Sequence, residues 1–373
     1  MLGLLVTVWN LLSLFNVDAI RTNDKPPVIV VATWPFTNAT DTAWSVLQGS
    51  TILGSEQVWG TAIAAVVAGC TSAEEDPDIH SVGYGNSPDE EGHTTLDAMV
   101  MDGKTMQAGA VAAMPDIREA AQVAFEVMRA TKQTLLVGTK AADFAVSRGF
   151  ARRSSDTPES RAMWREWLSK HCQPNYHNPS SWTPDPSKNC GPYRPRHEMS
   201  SPFLQTGLRP TDGVDSEKHD TIGMIAIDHH GSMAVGLSTS GLIHKFPGRV
   251  GDTPIPGAGG YVDNEVGGAV GTGDGDIMMR FLLSYQAVQL MRQGIGPTEA
   301  CEKSLQMVKQ NETDQFYSSK TAQDKKNAVH TILFRVKRYH ANFTDSFFTE
   351  KFAFRPNKQG RVPGIRRTWK LKG

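Results

Sequence analysis

Three stretches of this chain carry residues whose types and spacing could do chemistry. In KHDTIGMIAID, residues 218 to 228, Thr221 directly follows Asp220 and heads an apolar run. Taken alone, a β-branched residue leading into Ile-Gly-Met-Ile-Ala-Ile is the first residue of a strand. A role for its hydroxyl has to come from the rest of the chain. In GTGDGD, 271 to 276, glycines would let backbone N–H groups approach a reacting oxygen, and the turn runs straight into a helical stretch whose N-terminal donors favour negative charge. That is oxyanion-site chemistry; the same letters lack the Gly-Lys-Ser/Thr ending of a phosphate loop and the spacing of a dinucleotide site. In GRVGD, 248 to 252, Arg249 and Asp252 by themselves read as a surface ion pair in a turn. His219 and the pair His229-His230 fall at strand ends without zinc spacing, and no Cys-x-x-Cys occurs, so neither a metal nor a cofactor is expected.

The elements that must position these residues alternate short apolar strands with helices and Gly-rich turns. PPVIVVATW, 26 to 34, reads as a buried strand, and PDIREAAQVAFEVMRATK, 115 to 132, sets Ile117, Ala121, Ala124 and Met128 on one face of a helix begun by Pro115. TLLVGT, 134 to 139, follows as a strand. Residues 149 to 219 lose periodicity, apart from a short helix around SRAMWREWLSKH, and read as a long connector rather than a second core. GMIAIDHHGSMAVGLSTSG, 223 to 241, is two alternating runs joined by His229-His230-Gly231-Ser232, which predicts a hairpin; IMMRFLLSYQAVQLMRQG predicts one helix ended by Gly294.

With 373 residues, 39% of them hydrophobic, the chain can bury a sizeable core. The formal net charge of −1 gives no overall field for nucleic acid or a membrane surface. It conceals an asymmetry: residues 320 to 373 hold 14 Lys and Arg against 3 Asp and Glu, and the remainder holds 24 against 36. Residues 1 to 19, MLGLLVTVWNLLSLFNVDA, read as a signal peptide, too short and too interrupted by Asn10, Ser13 and Asn16 for a membrane span. Sequons at Asn38, Asn311 and Asn342 fit a secretory route. Cys172 and Cys190 flank a loop rich in Pro, Asn and Ser that a disulfide would staple, Cys70 lies in an apolar run as a buried thiol, and Cys301 has no evident partner in the sequence.

HDTIGM, GLSTSG, PGRVGDTPIPGAGGY and GTGDGDIMMRF follow one another here as they do in glycosylasparaginases (aspartylglucosaminidases), members of the N-terminal nucleophile hydrolases. TWPFTNAT, SPDEEGHTTLDAMVMDG, GAVAAM, LLVG and the CQPNY to CGPY segment resemble the same family, so the resemblance runs from about Val28 to about Lys309. It implies an α+β fold, the four-layer αββα sandwich of that superfamily, made as one precursor. The precursor would be cut into an α chain, 20 to 220, and a β chain whose core spans 221 to 310, with 311 to 373 a divergent basic segment. Such chains assemble as a dimer of αβ pairs, with no nucleic acid or membrane partner, in the secretory pathway and lysosome.

The resemblance also gives the threonine after Asp220 its chemistry. The Thr221 hydroxyl would attack the Asp220 carbonyl, and hydrolysis of the resulting ester would free the Thr221 α-amine. An α-amine titrates near 7.7 to 8.0, against about 10.4 for a Lys side chain, so it can act as base for its own hydroxyl. Thr239 is implied to orient that nucleophile. Thr272 and Gly273 are implied to form the oxyanion hole, Arg249 and Asp252 to hold the substrate's α-carboxylate and α-ammonium, and Trp34 and Ser87 to shape the site from the α chain. The implied substrate is an asparagine whose side-chain amide carries N-acetylglucosamine.

Departures from the family pattern set a rival expectation. Asn86 stands where the family has Gly, a change that Asn tolerates in a left-handed conformation, and Ser240 where it has Asn. Beyond Lys309 the family continues with a pair of core strands and with cysteines, one of them the implied partner of Cys301, and the sequence here differs. AVHTILFRVKRYH could form a strand or a helix. The expectation is an exposed edge and poor self-processing. The rival classes are then an uncleaved, non-catalytic relative, or an asparaginase or isoaspartyl peptidase of the same family.

Overall fold

Strands β7 (Ile222–Ile227) and β8 (Met233–Thr239) are buried at every position, so both of their faces must be covered. They pair antiparallel as the expected hairpin. Its turn is held by Asp228, whose carboxylate accepts from His230 N at 2.9 Å and Ser232 N at 3.0 Å. The computed structural model describes residues 28–49, 60–196, 221–312 and 329–334. The predicted signal peptide, His219, Asp220, the sequon at Asn342 and most of the basic segment lie outside the described residues.

The hairpin sits inside a six-stranded sheet with β1 (Ile29–Ala32), β2 (Thr95–Asp102), β3 (Ala108–Pro115) and β4 (Leu135–Val137). The order is β1-β7-β8-β2-β3-β4, antiparallel except for β3 with β4. Strand alternation divides its side chains. Ile222, Met224, Ala226 and Ala234 pack against helices α1 (Thr37–Leu47) and α2 (Ala62–Glu75), and Leu96, Ala98, Val100 and Val111 against α3 (Ala120–Ala130) and α4 (Gly138–Ser147). On the other face, Met99, Ile225, Ile227, Val235 and Leu237 meet Val262 and Val270 of a second sheet. That sheet is antiparallel and contains β9 (Gly260–Asp263), β10 (Gly267–Gly273) and β11 (Val329–Phe334), in the order β11-β10-β9. Helices α6 (Gly275–Phe281), α7 (Leu283–Arg292) and α8 (Pro297–Glu312) cluster with Val266 and Ala269 of β10 and its approach.

The connector carries helix α5 (Pro158–Ser169), started by a capping box between Thr157 and Ser160, and the short pair β5 (Trp182–Thr183) and β6 (Arg194–Pro195). Cys172 and Cys190 are joined, with Cα atoms 5.0 Å apart, and Cys70 is a buried thiol. Rather than standing apart, the connector is packed down, for Trp167 stacks on His244 with ring centroids 4.5 Å apart.

Three expectations need correction. Pro115 does not begin α3: it ends β3, the chain reverses at Asp116 with φ of 58°, and the helix starts at Ala120. The donor at Ala121 N finds the Glu74 carboxylate at 2.8 Å instead of a local cap. The stretch 277 to 294 is two helices, because Leu282 takes a left-handed conformation between them. Asn86 is not left-handed, although its neighbours Gly85 and Ser87 have φ of 78° and 33°. The Asn86 amide instead donates to the Ile79 and Val82 carbonyls at 2.8 Å each. Within AVHTILFRVKRYH, which could be a strand or a helix, β11 is a strand and pairs along β10, from Gly268 with Phe334 to Gly273 with Val329. Among the described residues no helix is long and apolar enough to cross a membrane.

Candidate active site

Thr221 stands at the head of β7, 7% exposed, and β1's continuation fixes its backbone. The Thr33 hydroxyl donates to the Thr221 carbonyl and accepts from Gly223 N, each at 3.0 Å, while Thr33 N donates to Gly223 O at 2.9 Å. Alternation along β7 puts Thr221 on the face of Gly223, Ile225 and Ile227, toward the second sheet. There Gly223 lies over Val270, close enough that an added Cβ would sit 3.0 Å from Val270 Cβ, and Ile225 lies over Gly268. The two strands run past each other in opposite directions, so the same stagger sets Thr272 against Thr221. Thr272 is fully buried, and its hydroxyl has no hydrogen-bond partner among the described residues.

Two further strands complete this end of the inter-sheet space. Ser238 pairs with Ile222, which leaves Thr239 at the strand end beside Thr221, and Thr239 in turn pairs with Asp97 of β2. The Thr239 hydroxyl donates to the Ser81 carbonyl at 3.4 Å and accepts from Gly241 N at 3.0 Å. Asp97 is fully buried, on the inward face with Met99 and Met101. Its carboxylate accepts from Ala113 N at 2.7 Å and Gly251 N at 3.4 Å, which ties β3 and the Arg249 loop to the same point.

Thr272 and Gly273 are strand residues, the last two of β10, so the N-terminus of α6 is not what they offer. Gly273 has φ of 142°, a conformation that favours glycine, and it delivers the chain to Asp274, whose carboxylate caps α6. Arg249 does not pair with Asp252 directly. Its guanidinium donates to Asp276 Oδ2 at 2.7 and 3.2 Å, from Nη2 and Nε. Asp252 and Arg249 both face Gly275: a Cβ there would be 2.7 Å from Asp252 Oδ1 and 3.1 Å from Arg249 Nη2. Asp252 is 3% exposed and its Oδ2 has no hydrogen-bond partner among the described residues. Burial pushes its carboxyl up to about 7, against the pull of Arg249 and with help from Asp97 and Asp274.

The structure therefore brings Thr221, Thr239, Thr272 and Gly273 to one end of the space between the sheets, with Arg249 and Asp252 in the loop that Asp97 anchors there. Trp34 follows Thr33 into α1, its carbonyl accepting from Phe36 N at 2.8 Å. Ser87 is buried in the loop whose Ser81 carbonyl holds Thr239. Thr33, Asp97 and Asp276 were not singled out from sequence. Of these, Asp97 carried a readable signal: in TLDAMVMD it shares the period-2 face of Met99 and Met101, where a carboxylate is out of place unless it has partners.

The sequence profile described as asparaginase matches residues 17–316. The N(4)-(beta-N-acetylglucosaminyl)-L-asparaginase of Rattus norvegicus is 48% identical over 284 residues, 76% of this chain and 78% of its own. That of Mus musculus is 48% identical over 280 residues, 75% of this chain and 76% of its own. A Drosophila sechellia protein provisionally given the same name is 48% identical over 301 residues, 80% of this chain and 74% of its own.

Proposed function

We propose, from the premise that this chain belongs to the asparaginase family, that it is an N-terminal nucleophile amidohydrolase acting on asparagine whose side-chain amide carries N-acetylglucosamine. The observation that carries this reading is the convergence of three buried threonines, Thr221, Thr239 and Thr272, on one end of the inter-sheet space. Thr221 is the one whose carbonyl accepts from the Thr33 hydroxyl, which also accepts from Gly223 N. The succession of helices, sheet, sheet and helices is read as the four-layer αββα sandwich, and cut chains are read as assembling into a dimer of αβ pairs in the lysosome.

The first reaction is on the chain itself. Thr221 Oγ1 attacks the Asp220 carbonyl carbon, the peptide C–N bond breaks, and the acyl group passes to oxygen as an ester. Water hydrolyses that ester, leaving a carboxylate at Asp220 and an α-amine on Thr221. In the second reaction the amine takes the Thr221 hydroxyl proton as oxygen attacks the substrate's side-chain amide carbon. It returns the proton to the departing glycosylamine. Thr272 and Gly273 stabilise the oxyanion, Thr239 orients the nucleophile, Arg249 holds the α-carboxylate and Asp252 the α-ammonium. Water then releases aspartate from the Thr221 ester. Trp34 and Ser87 line the site from the α chain.

The test is to assay purified protein on glycosylated asparagine, free asparagine and an isoaspartyl dipeptide, with Thr221→Ala alongside. The expected result is preferred turnover of the glycosylated substrate by protein in two chains, and a single inactive chain for Thr221→Ala. Equal turnover of all three substrates would move the assignment to a broader asparaginase, and activity in Thr221→Ala would remove the nucleophile.

A further inference from the structure

Lys245 is the largest fully buried side chain of the protein's described residues, 1% exposed, and nothing in the proposed chemistry uses it. A buried ammonium is costly unless held by partners, so its surroundings carry information. Nζ donates to the Ser240 carbonyl at 2.7 Å and to the Thr95 carbonyl at 3.3 Å. The first bond grips the turn that leaves Thr239; the second grips β2 two residues before Asp97. Gly241, with φ of 76°, lies directly against the ammonium: an added Cβ would be 2.8 Å from Nζ and 3.5 Å from Arg249 Nη1. The backbone of Lys245 is pinned as well, its carbonyl accepting from Glu90 N at 3.0 Å and its neighbour His244 N donating to Pro88 O at 2.6 Å.

Two cations thus flank one glycine. Burial pulls the Lys245 ammonium down to about 8, with Arg249 against its charge and Asp97 and Asp89 in favour; burial also opposes the charge on Arg249, which Asp276, Asp97 and Asp252 outweigh. Lys245 is held by two carbonyls and Arg249 by two bonds to Asp276, so each cation has its own anchor on its side of Gly241. The repulsion between them favours keeping the guanidinium off the Thr239 turn and on Asp276.

We propose that Lys245 is a positioning residue: it fixes the turn after Thr239 and sets the Arg249 guanidinium in place to receive the substrate's α-carboxylate. This rests on the reading of Arg249 as the carboxylate's partner. It predicts that Lys245 contributes to discrimination at the α-carboxylate more than to bond cleavage itself.

The test compares kcat/KM for N-acetylglucosaminyl-asparagine and for its α-carboxamide, in wild type and in Lys245→Met, which keeps the apolar stem. Melting temperature and the extent of self-cleavage are recorded alongside. Wild type should favour the free carboxylate. Lys245→Met should shrink that preference about tenfold or more, through a raised KM for the free acid, with kcat changed less. If wild type shows no preference, the Arg249 reading fails, and the inference with it. If wild type shows one and cleaved Lys245→Met keeps it, the inference alone is overturned. Should Lys245→Met not accumulate as folded protein, Lys245→Arg retains the buried charge but crowds Gly241 and Arg249. A reduced preference there supports the proposal and an unchanged one overturns it.

Discussion

Replacing Glu74 with Gln should leave the protein about as stable as wild type at pH 5 and make it clearly more stable at pH 8. Glu74 is 1% exposed on α2, and its Oε1 accepts from Ser238 Oγ at 2.6 Å and Ala121 N at 2.8 Å. Burial raises its carboxyl from the ordinary 4.5 to about 8, opposed by those two hydrogen bonds and reinforced by Glu119 and Glu75. The native state therefore keeps this proton to a higher pH than the unfolded chain does. Between about 4.5 and 8 the unfolded chain binds fewer protons, so stability falls as pH rises. A gap of ~3.5 in pH, at about 1.36 kcal/mol for each, sets a ceiling of ~5 kcal/mol, of which ~4 is lost by pH 8 and under ~1 at pH 5. Gln keeps the Oε1 acceptor for both donors and carries no charge to bury. Urea midpoints and melting temperatures for both proteins at pH 5 and pH 8 provide the assay. The expected gain for Glu74→Gln at pH 8 is several kcal/mol, or roughly 5–15 °C at a few degrees per kcal/mol. Parallel pH dependence in the two proteins would show that Glu74 is already ionised in the native state and would refute the reasoning.

Other outcomes follow from the site. With Asp252 raised to about 7 in the free protein, kcat/KM should fall as pH drops through 7, whereas kcat should fall less because a bound ammonium holds the carboxylate ionised; a pH profile in which both fall together would remove that role. Arg249→Lys loses the paired contact from Nη2 and Nε to Asp276 and should cost roughly 1.5–3 kcal/mol in kcat/KM, read from kinetics on the free-acid substrate. Cys190→Ser opens the disulfide that closes a separation of 18 residues and should cost about 3 kcal/mol, measured by urea unfolding.

The β7–β8 hairpin was legible because period-2 alternation and a His-His-Gly-Ser turn agree with each other. Helix α3 was misplaced at its start because Pro115 looks like an N1 residue, and the actual donor's partner, Glu74, lies 47 positions away. The break at Leu282 was hidden for a related reason: a left-handed leucine has no letter of its own, and continuous apolar periodicity ran through it. The candidate site residues divide in the same way. Thr221, Thr239, Thr272, Arg249 and Asp252 sit in local runs that resemble a family. Thr33, Asp97 and Lys245 act through contacts between distant elements, and only the sheet register brings them together. The contact of Arg249 with Asp276 was not legible, because Asp276 is near it only after β9 and β10 have folded back.

The central claim is that Thr221 becomes an N-terminal residue and does the chemistry from there. N-terminal sequencing of the purified active protein, with the intact mass of each chain, tests this most directly. The account predicts two chains, one of them beginning at Thr221, and activity that rises in step with its appearance. Full activity from an uncut chain, or a second chain beginning at any other residue, would contradict it.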